Sequence, residues 1–177
     1  IDGPEVPILD GSAWPWIQLI RTAGITRQET EAGVANIQTQ QLTAGQSKLS
    51  VSHSDSLSLT VSIDFNHPAI GFQSGTFKHT DLLQELAPAQ TFGFKSDLPK
   101  LKSMGLAKGA SLDNTLVYDE HGLINRQKSR FKDEALRHKA LDIIGDFALL
   151  NQRVRAEIVC HRPSHSLNQQ WLMSQRH

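Results

Sequence analysis

Three side chains that could bind a metal ion recur at four-residue intervals between residues 133 and 150. His138, Asp142 and Asp146 occupy positions i, i+4 and i+8 of this segment, and side chains at this spacing share one face of an α-helix. A neutral imidazole and a carboxylate that project side by side can converge on one divalent cation. Zinc accepts nitrogen and oxygen ligands at about 2.0–2.2 Å, so the spacing is compatible with a zinc site.

A salt bridge between His138 and Asp142 is the simpler interpretation of the same spacing. Such a pair on a solvated helix face contributes only about 0.2–0.5 kcal/mol, and these two residues alone favour it. Asp146 adds a third polar group beside Gly145, and glycine in a helix interior costs about 1 kcal/mol relative to alanine. A close approach by a ligand or by another backbone would explain this glycine, so the stripe favours a binding site.

Two further segments contain candidate catalytic residues. His165 directly precedes the last predicted helix. It is either a capping or first-turn residue, or a general acid or oxyanion stabiliser whose other ring nitrogen Asp146 could orient. In the segment 89–94 (Ala-Gln-Thr-Phe-Gly-Phe), a threonine followed by two aromatic residues could line a pocket, although core packing of both rings is the simpler interpretation.

Glu120-His121 also combines a potential base with a potential metal ligand. The two residues precede Gly122 in a predicted turn between short strands, so we interpret them as solvated turn residues. Four other histidines have no partner at a useful spacing and are interpreted as surface or structural residues: His53, His67, His79 and His177.

Hydrophobic periodicity predicts the elements that position these residues. The segment 57–65 alternates apolar and polar residues, which predicts a half-buried strand, and the polar residues 53–56 predict a hairpin to a preceding strand around Leu49 and Val51. The longest helix is predicted at 133–150. The other predicted elements are an edge strand or extended segment within 1–10, helices at 12–23, 80–87, 97–104 and from about 164–166 onward, and strands at 34–42, 115–118, 123–124 and 154–160. This order of strands and helices predicts an α+β fold.

Composition excludes several functional classes. The 177 residues include 18 Lys+Arg and 18 Asp+Glu, so the formal net charge is zero, which argues against a nucleic-acid binder that relies on bulk charge. No apolar run approaches the roughly 20 residues that a transmembrane helix needs. The single cysteine, Cys160, excludes an internal disulfide and a cysteine-based zinc site and predicts a reducing, cytoplasmic compartment.

Five segments of this sequence together resemble one known family, the UDP-3-O-acyl-N-acetylglucosamine deacetylases, which are zinc enzymes of lipid A biosynthesis. The segments occur in the order and with the spacing of that family. They are Gly-Pro-Glu-Val-Pro-Ile-Leu-Asp-Gly-Ser at 3–12, Ala-Gln-Thr-Phe-Gly-Phe at 89–94, Gly-Leu-Ala-Lys-Gly-Ala-Ser-Leu-Asp-Asn at 105–114, Arg-His-Lys-Ala-Leu-Asp-Ile-Ile-Gly-Asp at 137–146 and Ser-His-Ser-Leu-Asn at 164–168.

The resemblance implies a domain organisation. The family fold has two similar α+β domains, each a two-layer arrangement of a small sheet and helices, with the active site between them. Residues 1–25 then resemble the end of the first domain, 26–33 a linker, and 34–177 the second domain. A segment near 92–118 resembles the insertion that shapes the acyl-chain passage. Because the chain starts at Ile1 rather than at Met, we expect a fragment.

The resemblance also implies roles for individual residues. Two match zinc ligands, His138 and Asp142, and the implied cofactor is Zn²⁺. Three match catalytic residues: Thr91 bonds the oxyanion, His165 stabilises the intermediate or protonates the leaving amine, and Asp146 is its partner. Two match substrate-contacting residues, Lys139 and Phe92, and Arg162 would supply a charge for the diphosphate where lysine is common. The implied partner is the UDP-3-O-acyl-N-acetylglucosamine substrate, and we expect a monomer without nucleic acid or a membrane span.

The sequence departs from the family pattern at important positions. The family's third zinc ligand and catalytic glutamate belong to a Glu-His motif on a first-domain helix that is absent here, and Glu120-His121 falls in a different part of the pattern. We therefore expect this chain alone to bind zinc weakly and to hydrolyse little substrate. Smaller departures are Ala110 in place of a second glycine and Pro163-Ser164 in place of Ser-Gly, which affects how His165 is oriented.

Three functional hypotheses follow. The first is the second-domain part of a zinc-dependent deacetylase. The second is a non-catalytic module that binds a nucleotide sugar or an acyl chain without metal. The third is a different metalloamidase whose site is completed by a partner chain.

Overall fold

The computed structural model of the protein describes residues 6–175. Its helices are α1 (Trp14–Ala23), α2 (Leu98–Ser103), α3 (Glu134–Phe147) and α4 (His165–Ser174). Its strands are β1 (Gln40–Ala44), β2 (Ser47–His53), β3 (Ser58–Asp64), β4 (Phe72–Lys78), β5 (Phe92–Phe94), β6 (Leu116–Asp119), β7 (Gly122–Leu123) and β8 (Ala156–His161). Short 3₁₀ or π-helical segments lie at His79–Asp81, Leu82–Leu86, Lys95–Asp97, Arg126–Lys128 and Ala148–Leu150.

Five strands form one mixed sheet in the order β1-β2-β8-β3-β4. Strand β8 is antiparallel to β2 and parallel to β3. A parallel pair requires a crossover connection, and α3 lies in the chain between β3 and β8. Helices α3 and α4 cover one face of this sheet, so the α+β prediction is confirmed.

The hairpin that the sequence predicts between β2 and β3 is wrong. Strand β8 lies between them, although it comes more than 90 residues later in the chain. Residues 54–57 instead pass over the end of β8, where the Ser54 N–H donates to the Arg155 carbonyl at 3.3 Å. The alternating pattern of β8 places Ile158 and Cys160 in the same buried layer as the apolar residues of its two neighbours, so a central position buries more apolar surface.

The core lies between the large sheet and the two longer helices of its covered face. Alternate residues of the three central strands contribute Leu49, Val51, Leu59, Val61, Ile63, Ala156, Ile158 and Cys160. Helix α3 contributes Leu136, Ala140, Ile143 and Phe147, and α4 contributes Leu167, Trp171 and Leu172. The rings of Phe147 and Trp171 stack at a centroid distance of 4.5 Å and an interplanar angle of 9°, which connects the two helices.

A smaller three-stranded sheet lies beside the main one. Its order is β5-β6-β7, with β5 parallel to β6 and β6 antiparallel to β7. Residues 119–122 form the predicted turn between β6 and β7. Strands β4 and β5 were not predicted, because Ser74 and Gly75 interrupt the alternation of β4 and because β5 has only three residues.

The N-terminal region agrees only partly with prediction. Helix α1 confirms the helix at 12–23, but none of its residues is buried and its apolar residues Leu19 and Ile20 are exposed. Residues 6–10 form no strand, since the chain turns where the Gly11 N–H donates to the Ile8 carbonyl at 2.9 Å. The remainder of that predicted segment, residues 1–5, lies outside the described residues, as does His177.

Within residues 6–175 none of the helices combines the length and the apolarity that spanning a bilayer would need.

We predict that Trp171→Ala lowers the free energy of unfolding by about 3–5 kcal/mol, because it removes a fully buried ring that stacks on Phe147. Urea denaturation followed by circular dichroism measures the loss. Met173→Ala, on the same helix but 70% exposed, serves as the control and should change stability by less than about 0.5 kcal/mol. Equal losses in the two variants would contradict the packing described here.

Candidate active site

Helix α3 carries the candidate metal ligands along one edge of the face that packs on the sheet. Its inward residues Leu136, Ala140, Ile143 and Phe147 are buried and fix the rotation of the helix about its axis. The polar stripe therefore emerges at the border between core and solvent, where the side chains of His138, Asp142 and Asp146 are 14%, 18% and 13% exposed.

His138 presents one ring nitrogen to Asp142 and the other to the backbone. Its Nδ1 lies 3.0 Å from the carbonyl oxygen of Ala89, and since a carbonyl can only accept, Nδ1 carries the proton. The unprotonated Nε2 then faces the Oδ1 of Asp142 at 3.4 Å. This is the arrangement of a metal-binding imidazole, whose outer nitrogen is held by a backbone carbonyl.

The environment of His138 favours a neutral ring. Burial lowers the pKa of His138 below its ordinary value of 6.5, and the nearby charge of Asp142 and the hydrogen bond to Ala89 only partly offset this effect. The imidazole is therefore neutral at pH 7, which is the state that a metal ligand requires.

The second oxygen of Asp142 lies among positive or potentially positive groups. Lys139 Nζ approaches Oδ2 at 2.9 Å, and His165 Nε2 lies 3.9 Å from the same oxygen. The Lys139 ammonium also lies 6.0 Å from the centre of the Phe92 ring, and this ring meets the His138 ring edge-on at a centroid distance of 6.5 Å. These predicted site residues are thus neighbours in space.

His165 and Asp146 form a second pair next to the first. His165 Nδ1 lies 2.9 Å from Asp146 Oδ2, and the Asn168 side-chain amide donates to the same oxygen at 2.8 Å. His165 is the first residue of α4, directly after Ser164, whose hydroxyl caps the helix by accepting from the Leu167 N–H at 3.3 Å. The carboxylate holds the proton on Nδ1, so Nε2 points toward the first pair.

Backbone hydrogen bonds hold Thr91 in the wall of an apolar cavity. Its N–H donates to the Gly11 carbonyl at 2.7 Å, and its own carbonyl accepts from the Leu116 N–H at 2.9 Å. The cavity has a volume of about 580 Å³ and is lined mainly by apolar residues of the segment predicted to be an insertion, among them Phe92, Phe94, Leu98, Leu101, Leu112 and Val117.

Arg162 forms contacts away from these pairs. Its guanidinium donates to Asp64 Oδ2 at 2.6 Å and also to the side chain of Gln46. The Arg162 backbone has a φ of 50°, and Pro163 is the next residue. Its charge is therefore paired in this structure.

Two other sequence interpretations can be checked against the structure. Glu120 and His121 lie in the exposed turn after β6, as predicted. Of the two explanations for Gly145, a close approach by another backbone is wrong, because a side chain there would meet no atom within 4 Å in the described part of the chain, and an approach by a ligand stays a prediction. The position is simply open, so packing does not account for the glycine.

The donor atoms suit zinc but are incomplete. The neutral His138 nitrogen and the Asp142 oxygen are ligands of the types that zinc binds. Across residues 6–175, however, no group of three or more His, Cys, Asp or Glu side chains is arranged to hold one ion. A structural zinc site normally has four protein ligands and a catalytic one three, so the described residues supply an incomplete set.

Sequence reasoning missed two polar residues of this region. Glu134 is buried one turn before His138, and its i−4 spacing was a usable signal. Asn168 is buried against Asp146, but nothing in its spacing indicated that contact.

Comparison with known proteins decides the family. The family model LpxC, UDP-3-O-acyl N-acetylglycosamine deacetylase, matches residues 1–175. The chain belongs to this family. A curated UDP-3-O-acyl-N-acetylglucosamine deacetylase of Syntrophotalea carbinolica is 42% identical over 173 residues, that of Myxococcus xanthus 41% over 171 and that of Thermosynechococcus vestitus 43% over 171.

These alignments cover the chain almost completely but not the relatives. They include 95–96% of this chain and 54–60% of the three relatives. The chain therefore spans little more than half the length of the curated proteins that it matches.

We predict that the metal-free protein loses stability through His138 as the pH falls below 6.5. Burial lowers the pKa of the folded His138 below 6.5, so the unfolded chain binds more protons in this range and unfolding becomes more favourable. Urea unfolding at a series of pH values should show a steeper decrease for the wild type than for His138→Gln. Parallel pH profiles, with equal denaturant dependence in both proteins, would contradict a buried neutral ring.

Proposed function

We propose that this chain is part of a zinc-dependent hydrolase that removes the N-acetyl group from UDP-3-O-acyl-N-acetylglucosamine in lipid A biosynthesis. One observation carries the proposal: the neutral His138 nitrogen and the Asp142 carboxylate converge within 3.4 Å, next to a histidine that a second carboxylate orients. Membership in the deacetylase family, with relatives of that name at 36–43% identity, supports the same assignment.

In this proposal His138 and Asp142 are two of three zinc ligands. The third ligand and the glutamate that takes a proton from the attacking water come from a part of the protein outside this chain. Zinc, when bound, supplies Lewis-acid activation of the amide carbonyl and of water. The Lys139 ammonium, which lies on the other oxygen of Asp142, offsets part of the ligand's negative charge.

His165 is assigned the proton transfer to the leaving group. The Asp146 carboxylate keeps Nδ1 protonated and stabilises the imidazolium, so that Nε2–H can donate. As the amide C–N bond breaks, the sugar nitrogen takes this proton and acetate leaves. The Thr91 hydroxyl is assigned to the oxyanion, for which preorganised donors are effective.

The substrate contacts follow from the same arrangement. The apolar cavity beside Thr91, about 580 Å³ in volume, accommodates the acyl chain, while Phe92 and Lys139 contact the sugar. Arg162 is paired with Asp64 at 2.6 Å. A contact between Arg162 and the diphosphate therefore requires Arg162 to leave Asp64 and bind phosphate instead. We also propose that the complete protein is cytoplasmic and monomeric.

The cavity also favours a second candidate function, which is acyl binding without metal. Most of its lining is apolar, and the lining residues belong to this chain. A module that only binds would retain ligand affinity in the presence of a chelator and would release no acetate.

We predict that the full-length protein releases acetate from UDP-3-O-acyl-N-acetylglucosamine and that a zinc chelator abolishes this activity. His165→Gln should lower kcat by about 10²–10⁴-fold, because general acid catalysis is lost. His121→Gln, in the exposed turn, is the matched control and should retain wild-type activity. Acetate release that persists after complete metal removal would refute the proposal, and the absence of release together with tight substrate binding would favour the binding module.

We predict that Leu101→Glu raises KM for the acylated substrate by about tenfold or more, because it places a charge in the apolar cavity. Leu106→Glu is the control, since Leu106 is an exposed residue that does not line the cavity. Steady-state kinetics of the two variants measures the difference. Equal KM values would show that the acyl chain binds elsewhere.

A further inference from the structure

A buried carboxylate lies one helical turn before His138. Glu134 is only 2% exposed and continues the stripe of His138, Asp142 and Asp146 at the same four-residue spacing. Its carboxylate accepts hydrogen bonds from the Gln90 N–H at 2.9 Å, the Arg130 N–H at 2.6 Å, the Ser129 hydroxyl at 2.9 Å and the Phe131 N–H at 3.3 Å.

The bond to Gln90 connects Glu134 with the backbone that holds the metal ligand. Ala89 directly precedes Gln90, and its carbonyl accepts from His138 Nδ1 at 3.0 Å. Thr91 directly follows Gln90. One carboxylate oxygen thus anchors the Ala89–Gln90 peptide unit, whose carbonyl oxygen accepts from His138.

The other side of the same segment is anchored by the Arg130 side chain. Its guanidinium donates to the Pro88 carbonyl at 2.6 Å and pairs with Asp10 Oδ2 at 2.6 Å. The Arg130 N–H is itself bonded to Glu134. Glu134 therefore orders both the segment that holds His138 and the residue that clamps that segment from outside.

We propose that Glu134 is a positioning residue for His138 and that it acts through the Gln90 N–H and the Ala89 carbonyl. The inference deepens the proposed function and rests on it for its catalytic consequence. A carbonyl fixed at Nδ1 selects one tautomer and one ring orientation, and loss of such an outer contact typically weakens metal binding 10–100-fold. The hydrogen bonds of Glu134 go to Gln90, Ser129, Arg130 and Phe131, so it positions the His138 ring through the backbone, while its charge also raises the pKa of His138.

Glu134→Gln in the metal-free full-length protein tests the positioning directly. The amide preserves the size of the side chain but has a single accepting oxygen, so it cannot satisfy the donors on both sides. Two-dimensional ¹⁵N NMR of labelled histidine rings should show only the Nδ1–H tautomer of His138 in the wild type and a mixture in the variant. The tautomer of His165, which Asp146 holds, should not change.

Asp133→Asn is the matched control. It also removes a carboxylate from the start of α3, but Asp133 binds the Arg137 side chain at 2.7 Å rather than the Gln90 segment. Competition with a chromogenic chelator should show that Zn²⁺ alone binds about tenfold more weakly to Glu134→Gln and with unchanged affinity to Asp133→Asn. A wild-type tautomer and wild-type Zn²⁺ affinity in Glu134→Gln, or equal effects in both variants, would overturn the proposal.

Arg130→Met provides a second test that does not depend on the stability of Glu134→Gln. Arg130 is an exposed residue whose side chain is 34% exposed, so its replacement leaves the core intact while it releases the outer clamp. We expect Arg130→Met to show a smaller shift toward the second His138 tautomer. If Glu134→Gln does not fold, the absence of this shift in Arg130→Met would overturn the proposal. The tautomer measurement is independent of acetate release, so a wild-type protein that releases no acetate refutes only the proposed function.

Discussion

The packing of α3 against the sheet is the constraint on which the site depends. Four inward residues of this helix are buried, so it can neither roll nor slide without opening cavities that cost several kcal/mol. The polar stripe beside them is therefore held at the border of the core. This border removes enough water to favour a neutral His138 but leaves 14% of the His138 side chain and 18% of the Asp142 side chain exposed, which suits the proposed metal site.

The charges around Asp142 are balanced without a metal ion. One oxygen faces the neutral His138 ring at 3.4 Å and the other accepts from Lys139 at 2.9 Å. A cation between His138 and Asp142 would contact Oδ1 of Asp142, because Lys139 binds Oδ2. The cation and the Lys139 ammonium can therefore bind the same carboxylate. Asp146 provides a second negative charge for His165, whose Nδ1 lies 2.9 Å from Asp146 while its Nε2 lies 3.9 Å from Asp142.

Local sequence patterns predicted individual strands and the spacing of side chains on one helix. They did not predict which strands or side chains distant in sequence pair with each other. Period-two alternation located β3 and β8, and four-residue spacing placed His138 and Asp142 side by side. The β2–β3 hairpin was wrong because alternation gives the buried face of a strand but not its neighbour. The role of Glu134 was not predicted, because the helix dipole already explains an acidic residue in a first helical turn. The pairing of Arg162 with Asp64 was not predicted because the two residues are 98 positions apart in the sequence.

Three of the five segments that resemble the deacetylase family interlock beside the helix that contains His138, which gives a physical reason for several of their residue types. Gly11 has a φ of +82°, and a side chain there would collide with the Asn114 carbonyl and the Thr91 methyl group, so glycine alone permits this contact. The Gly11 carbonyl accepts from the Thr91 N–H, and the N–H of the preceding residue, Gln90, donates to Glu134. The segments at 10–12, 89–91 and 114 are thus fixed to one another, and Glu134 and His138 connect the middle one to α3. Backbone hydrogen bonds therefore hold residues that are distant in sequence in fixed positions relative to one another.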